Sequence, residues 1–272
     1  MHQTRIAFIG AGNMASSLIR GLLAKNCPAQ NISAADVDSD KLDALCRECG
    51  IRGGSNDEIV ADADVVVLAV KPQVMQQVCR ALSMSARPPL FVSVAAGITL
   101  AQLQAWLSDE TAIVRCMPNT PALVGMGATG LFANARVSDT QRDLATTLLD
   151  SVGISVWVER EADLDAVTAV SGSGPAYFFL LMEAMENAAR ELGLKADVAA
   201  TLVLQTAAGA AELARRSDVD VAELRRRVTS PGGTTERAIE TFEAGGLREL
   251  TGRALAAAQA RSVELAQESG DK

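Results

Sequence analysis

The sequence predicts an α/β domain built on a mostly parallel, doubly wound sheet, followed by an all-α domain. Three observations predict it. Short β-branched runs alternate with helical periods as far as residue 160. Several of those runs, VVVLAV among them, are apolar on both faces, as strands of a parallel sheet covered by helices on both sides must be. From Glu161 onward strand-like runs vanish and alanine-rich helical stretches take over. The expected division is therefore 1–160 and 161–272.

Taken in order, the expected strands are 5–9 (RIAFI), 32–36 (ISAAD), 64–70 (DVVVLAV), 90–95 (LFVSVA), 112–117 (AIVRCM) and 154–158 (ISVWV). After the first, Met14, Leu18 and Leu22 recur every fourth residue and make one apolar helix face. Pro175, in VSGSGPAY (170–177), suits the first position of a helix capped by Gly174 or Ser173. The segment AATLVLQTAAGAAELA (199–214) is apolar over most of its circumference, which predicts a buried helix. A short helical domain has little of its own to bury it, so a second subunit is one expected cover and a monomeric bundle the other. Finally, SPGGTT (230–235) breaks the helical pattern and starts a fresh helix near Thr234 that runs to Ala244, with Gly245 as C-cap.

Composition narrows the function. A net charge of -8 argues against a nucleic-acid partner, whose affinity rests on Lys and Arg. The basic run Arg225-Arg226-Arg227 reads as a solvated helix end. No run of 18 apolar, uncharged residues occurs, so no membrane span is expected. The first apolar run, Ile6 to Ile9, is strand-sized rather than signal-like. An odd number of scattered cysteines (27, 46, 49, 79 and 116) fits a reducing cytoplasm better than a disulfide framework. Cys46 and Cys49 form a lone CxxC with no second pair; it reads as structural, with redox or metal chemistry the alternative, and no metal site is expected. The single histidine is His2, so histidine acid–base or ligand chemistry is not expected.

Gly10-Ala11-Gly12-Asn13-Met14-Ala15 lies between the first strand and the first helix, and the second strand ends in Asp36. In that context GxGxxA reads as a dinucleotide-binding turn, with a purely structural turn as the alternative. Gly10 allows the turn, Gly12 lets a pyrophosphate approach the helix N-terminus, and Ala15 permits close helix–sheet packing. Asp36 would accept the ribose hydroxyls of NADH and repel a 2'-phosphate, Lys41 being the nearest cation; a one-residue shift in the turn would point it away. Three more loops follow strands at the carboxyl edge, where open α/β sheets bind ligands: Ala69-Val70-Lys71-Pro72, Ala95-Ala96-Gly97 and Met117-Pro118-Asn119-Thr120-Pro121. Small residues in the second would admit a flat nicotinamide, and Asn119 offers an amide in the third. Each alone is also explained as a strand-end turn.

The SPGGTT break frees backbone N–H groups beside hydroxyls, a receptor for a carboxylate, although TTE also reads simply as a good helix start. A threonine hydroxyl there can hydrogen-bond a ring nitrogen without acting as a strong acid or base. In Gly-x-Gly-x-x-x-Lys hydroxy-acid dehydrogenases a lysine protonates the carbonyl oxygen; counted from Gly172, that position is Phe178. A substrate that is already protonated needs no such group.

The series GAGNMA, AVKPQ, AAGITL, RCMPNTPALVGMG, AVSGSGPAYFF and VTSPGGTTERAIETF resembles, in order, the motifs of pyrroline-5-carboxylate reductase, from Ile6 to about Ala266. The resemblance implies an N-terminal Rossmann domain and a C-terminal helical domain that makes a homodimer, with dimers building into rings as large as a decamer. It implies reduction of L-1-pyrroline-5-carboxylate to L-proline, the last step of proline biosynthesis, with NADPH or NADH. Gly10, Gly12, Asn13 and Met14 would cradle the pyrophosphate, and Asn56 would sit near the adenosine ribose. Ala69, Val70, Lys71 and Pro72 would line the cofactor cleft. Ser230 and the backbone of Gly233, Thr234 and Thr235 would hold the substrate carboxylate, and Thr235 would meet the ring nitrogen as the catalytic residue. Asp36 stands where many relatives carry small polar residues, which leaves the cofactor preference open. Reduction of another imine or a keto acid, and a non-catalytic dinucleotide-binding regulator, are the competing readings.

Overall fold

The computed structural model describes residues 3–83 and 88–270. His2 lies outside the described residues. In the first stretch β1 (Ile6–Ile9), α1 (Asn13–Ala24), β2 (Ile32–Ala35), α2 (Ser39–Cys49), β3 (Arg52–Gly53) and α3 (Asn56–Val60) follow one another. Then come β4 (Val65–Leu68), α4 (Pro72–Ala81), β5 (Leu90–Ser93), α5 (Leu100–Trp106) and β6 (Ile113–Met117). After these run β7 (Gly127–Ala133), α6 (Asp139–Leu149) and β8 (Gly153–Trp157). The remainder is helical: α7 (Asp163–Val167), α8 (Gly174–Glu191), α9 (Ala196–Arg216), α10 (Val221–Arg227), α11 (Thr234–Ala244) and α12 (Leu247–Gly270).

The eight strands form one sheet in the order β3-β2-β1-β4-β5-β6-β7-β8, parallel except for the β6–β7 pair. Side chains alternate across it, as the strand period of two requires. Ile6, Phe8, Val65 and Val67 pack with Leu18 and Leu22 of α1 on one face. Ala7, Ile9, Val66 and Leu68 pack with Met75 of α4 and Leu103 of α5 on the other. Both layers are buried, which is why β1 and β4 carry no polar residue. Strand order reverses between β1 and β4, so the crevice above their carboxyl ends lies at the topological switch point.

Each expected strand is present to within two residues at its ends, but β3 and β7 had no signal in the pattern. β7 reads GATGLFA, poor in β-branched residues. Its Gly130 is there for packing: a Cβ would stand 2.7 Å from Val167 Cγ1. A tertiary contact thus removes the side chain that would have marked the strand.

The chain divides into two compact units, Met1–Ser173 with Ala257–Lys272, and Gly174–Ala256. This division differs from the one expected at 160/161. Leu164 of α7 is buried, Glu161 Oε1 accepts both Arg115 Nη1 and the Leu100 N–H at 2.8 Å, and Ser262 of α12 bonds Asp165. These contacts tie the first turns after 160 and the end of the chain to the sheet.

In the VSGSGPAY segment a long helix, α8, opens at Gly174, one residue before Pro175. It is reached not through a loop but by α7 running on through a π-helical turn, Thr168–Gly172, in which the Ser173 N–H donates to Thr168 O at 2.8 Å. In the second unit, one chain by itself buries little of α9. Of its residues Ala199 and Val203 are buried, while Leu202, Leu204 and Leu213 are more than half exposed, as are Phe178, Phe179 and Leu180 of α8. One chain supplies too few neighbours to enclose a helix that is apolar all round.

Candidate functional site

The first group of candidate residues gathers at the switch point. Gly10 turns the chain out of β1 with φ +99, its N–H donating to Ala35 O at 2.8 Å. A Cβ there would lie 2.6 Å from Ala69 O, so the turn and its fit against the end of β4 both require glycine. Gly12 is the N-cap of α1 and provides no side-chain cap, so Asn13 and Met14 begin a helix whose first N–H groups are left for a ligand.

Asp36 and Asn56 line a cavity of about 300 Å³ with Gly10, Val37, Val70 and Val74. Asn56 is the first residue of α3, set by a Ser55–Glu58 capping box. Val74, Gln77 and Val78 of α4 complete one wall of it. The sequence reading missed these three, although Val74 and Val78 are spaced four apart, one helix face, directly after Ala69–Pro72. Lys71 is the N-cap of α4 and Pro72 its first residue, so the AVKP loop is held rigid beside the cavity.

Asp36 is also tied into the turn itself. Its Oδ2 accepts the Ala11 N–H at 2.6 Å and its Oδ1 the Asp38 N–H at 2.9 Å, with Lys41 Nζ 3.6 Å away. Burial opposes its ionisation, but the two N–H donors and Lys41 outweigh it and hold the carboxyl below its ordinary range. The carboxylate is bound into the glycine-rich turn at the wall of the cavity.

Ala96 and Gly97 form a tight turn after β5, Gly97 with φ +73, and a Thr99–Gln102 capping box starts α5 just beyond. Asn119, expected to offer its amide, spends it on the fold. Its Nδ2 donates to Ser171 O at 3.0 Å and its Oδ1 accepts the Ala128 N–H at 2.9 Å, joining the loop after β6 to β7 and the π-helical turn.

The second group lies in the other unit. α11 begins at Thr234, and no side chain caps it. The Gly233 N–H already donates to Ser230 O at 3.0 Å, and the Gly232 N–H to Glu236 Oε2 at 2.7 Å. The donors left at this helix start are the N–H groups of Thr234, Thr235 and Glu236, the first helix bond being donated by Arg237, with the Ser230, Thr234 and Thr235 hydroxyls on the same segment. Ser230 is exposed and Thr235 half-buried. Gly245 follows α11 as expected, but in right-handed geometry; the left-handed residue is Gly246, φ +74. Among the described residues no group of three or more His, Cys, Asp or Glu could hold a metal ion, and no helix is long and apolar enough to cross a membrane.

The two groups offer distinct chemistry. The uncapped start of α1, beside an apolar cavity, fits a dinucleotide's pyrophosphate and adenosine, and Gly12 leaves the approach open, a Cβ there meeting nothing nearer than Lys41 Nζ at 4.0 Å. The uncapped start of α11 fits a small carboxylate. Neither group contains a histidine or a cysteine.

Residues 161–265 match a family described as pyrroline-5-carboxylate reductase dimerisation, and residues 5–97 one described as NADP oxidoreductase, coenzyme F420-dependent. The chain is 57% identical to a pyrroline-5-carboxylate reductase of Pseudomonas aeruginosa, over 99% of this chain and 100% of that one. It is 42% identical to the one from Vibrio alginolyticus, covering 97% and 98%. Among solved structures it matches a pyrroline-5-carboxylate reductase of Coxiella burnetii with TM-score 0.94 and 45% identity, over 96% and 98% of the two chains. The Plasmodium falciparum pyrroline carboxylate reductase, solved with NADP bound, matches with TM-score 0.85 and 30% identity over 98% and 99%.

Proposed function

The chain belongs to the pyrroline-5-carboxylate reductase family, and on that premise we propose how its residues share the work. The reaction is reduction of L-1-pyrroline-5-carboxylate to L-proline with NAD(P)H. When bound, the reduced nicotinamide supplies the hydride. The chain's own part is to bind, orient and desolvate.

The observation that carries the substrate assignment is the uncapped start of α11. There the Thr234 and Thr235 N–H groups and the Ser230 hydroxyl hold the substrate carboxylate, aided by the positive end of the helix dipole. Gly233 contributes as the N-cap that keeps this face free of side chain, since its own N–H is taken by Ser230. The Thr235 hydroxyl hydrogen-bonds the ring nitrogen. A cyclic imine protonated as an iminium accepts hydride at carbon and leaves as an amine, so no strong acid is needed beside it. That agrees with Phe178 in place of a lysine and with the lack of histidine at either group.

On the cofactor side, Gly12, Asn13 and Met14 hold the pyrophosphate, and Asn56 and Val70 line the adenosine cavity beside Gly10. Ala69, Lys71 and Pro72 form its rigid rim, and Ala96 and Gly97 leave room for the nicotinamide. Asn119 acts as a brace for that end of the sheet rather than as a ligand. Functionally the labour divides near 160/161, cofactor before and substrate and dimerisation after, even though residues 161–173 pack with the first unit. The dimerisation family and the open apolar faces of α8 and α9 support a homodimer, and a decamer is the larger assembly we propose. Five free cysteines support a cytoplasmic setting.

Parallel oxidation assays of NADPH and NADH, with and without pyrroline-5-carboxylate, test the reading. Oxidation that depends on substrate supports it. Protein that binds a cofactor but never oxidises it with this substrate belongs to a different imine or to a regulator.

A further inference from the structure

The Asp36–Lys41 pair carries an inference about the adenosine end of the cofactor. Lys41 stands in the first turn of α2, its N–H donating to the Asp38 carboxylate at 3.1 Å. Its ammonium is half-exposed, 3.6 Å from Asp36 Oδ2 and 4.0 Å from the position a Cβ would take on Gly12. One cation therefore stands between the end of β2 and the uncapped start of α1.

An acidic residue at the end of the second strand excludes a 2'-phosphate when its carboxylate faces the ribose. Asp36 does not have that freedom. Its side chain is only 12% exposed, both oxygens accept backbone N–H groups, and Lys41 partly neutralises it. Of the neighbouring acids, Asp38 is committed to capping α2, whereas Asp40 in the same turn stays exposed and opposes an incoming anion. The Lys41–Asp36 contact is long, at 3.6 Å, its lysine end is half-exposed, and Asp36 keeps both backbone N–H bonds when it opens. A phosphate dianion offers the ammonium a shorter, charge-assisted hydrogen bond.

We propose that Lys41 is the residue that determines cofactor specificity: its ammonium turns from Asp36 to the 2'-phosphate of NADPH, allowing a chain with Asp36 to accept the phosphorylated cofactor. Asp36 serves instead as a positioning residue that holds the glycine-rich turn through Ala11. The inference rests on the dinucleotide reading of the first unit and is independent of the substrate.

Calorimetric titration of wild type, Lys41→Gln and Lys41→Arg with NADPH, NADH and adenosine 2',5'-bisphosphate, all without imine, tests it. Lys41→Gln is expected to weaken NADPH and the bisphosphate on the order of tenfold, with NADH changed by no more than about twofold. Lys41→Arg is expected to restore the bisphosphate. Retained NADH binding shows that the variant is folded. Equal losses for NADPH and NADH would assign Lys41 to the pyrophosphate and overturn the proposal, as would no loss for either. A wild type that binds NADH but not NADPH would overturn it and leave the dinucleotide reading standing, whereas one that binds neither would remove both.

Discussion

Ser262 Oγ donates to Asp165 Oδ1 at 2.7 Å, joining α12 to α7 across 97 positions of sequence. Ser262 is buried, one of few polar side chains that are. The bond fixes the last turns of α12 in the same unit as the sheet. Ser262→Ala is expected to destabilise the protein by about 1–2 kcal/mol, since a hydrogen bond to a carboxylate in a partly buried site is lost. Thermal denaturation should show Tm lower by a few degrees. An unchanged Tm would mean that packing alone holds this end of the chain.

Thr235→Ala removes the hydroxyl assigned to the ring nitrogen while keeping the N–H that faces the carboxylate. The expected result is kcat/KM lower by roughly tenfold or more, with cofactor Kd within about twofold of wild type. Steady-state kinetics beside cofactor titration separates the two. Wild-type turnover by this variant would remove Thr235 from the site.

Asp36 makes the stability depend on acid. Although burial works the other way, the Asp38 and Ala11 N–H groups and Lys41 hold its carboxyl below the ordinary value. A depressed folded value means stability that is complete above the unfolded pKa of about 3.9 and is lost as pH falls through the lower folded one. Asp36→Asn should therefore be less stable than wild type by a constant margin from pH 6 to 8. That margin should shrink below about pH 4. Urea midpoints at pH 7 and pH 3 check the sign; a gap that widens in acid contradicts it.

Leu204 is 54% exposed on α9, in a face that one chain leaves open. Leu204→Glu should shift the protein toward monomer in sedimentation velocity, because a carboxylate buried between subunits has no partner. The wild type is expected to sediment above the monomer at the same concentration. Identical profiles for both proteins would place the subunit contact elsewhere.

The parts of this fold that were legible in the sequence have short-range causes. The GxGxxA turn lies between a strand and an amphipathic helix because Gly10 and the Met14, Leu18 and Leu22 spacing act within a few residues. The start of α11 at Thr234 and its end at Ala244 follow from a Pro-Gly-Gly break and a glycine stop. β1 and β4 announced a covered parallel sheet because both of their faces are apolar.

Tertiary structure alone decided the rest, since the deciding partners are remote. Asp36 is turned into the glycine-rich loop by an N–H 25 positions away, and Asn119 is spent on Ser171, 52 positions away. β7 went unseen because Val167 leaves no room for a side chain at Gly130. The sequence by itself determined which residues can turn, cap and cross the sheet, for those are local properties of backbone and period. Which polar groups stay free for a ligand was decided only when distant segments met, because a hydrogen-bonding group already satisfied within the fold has less to offer a ligand.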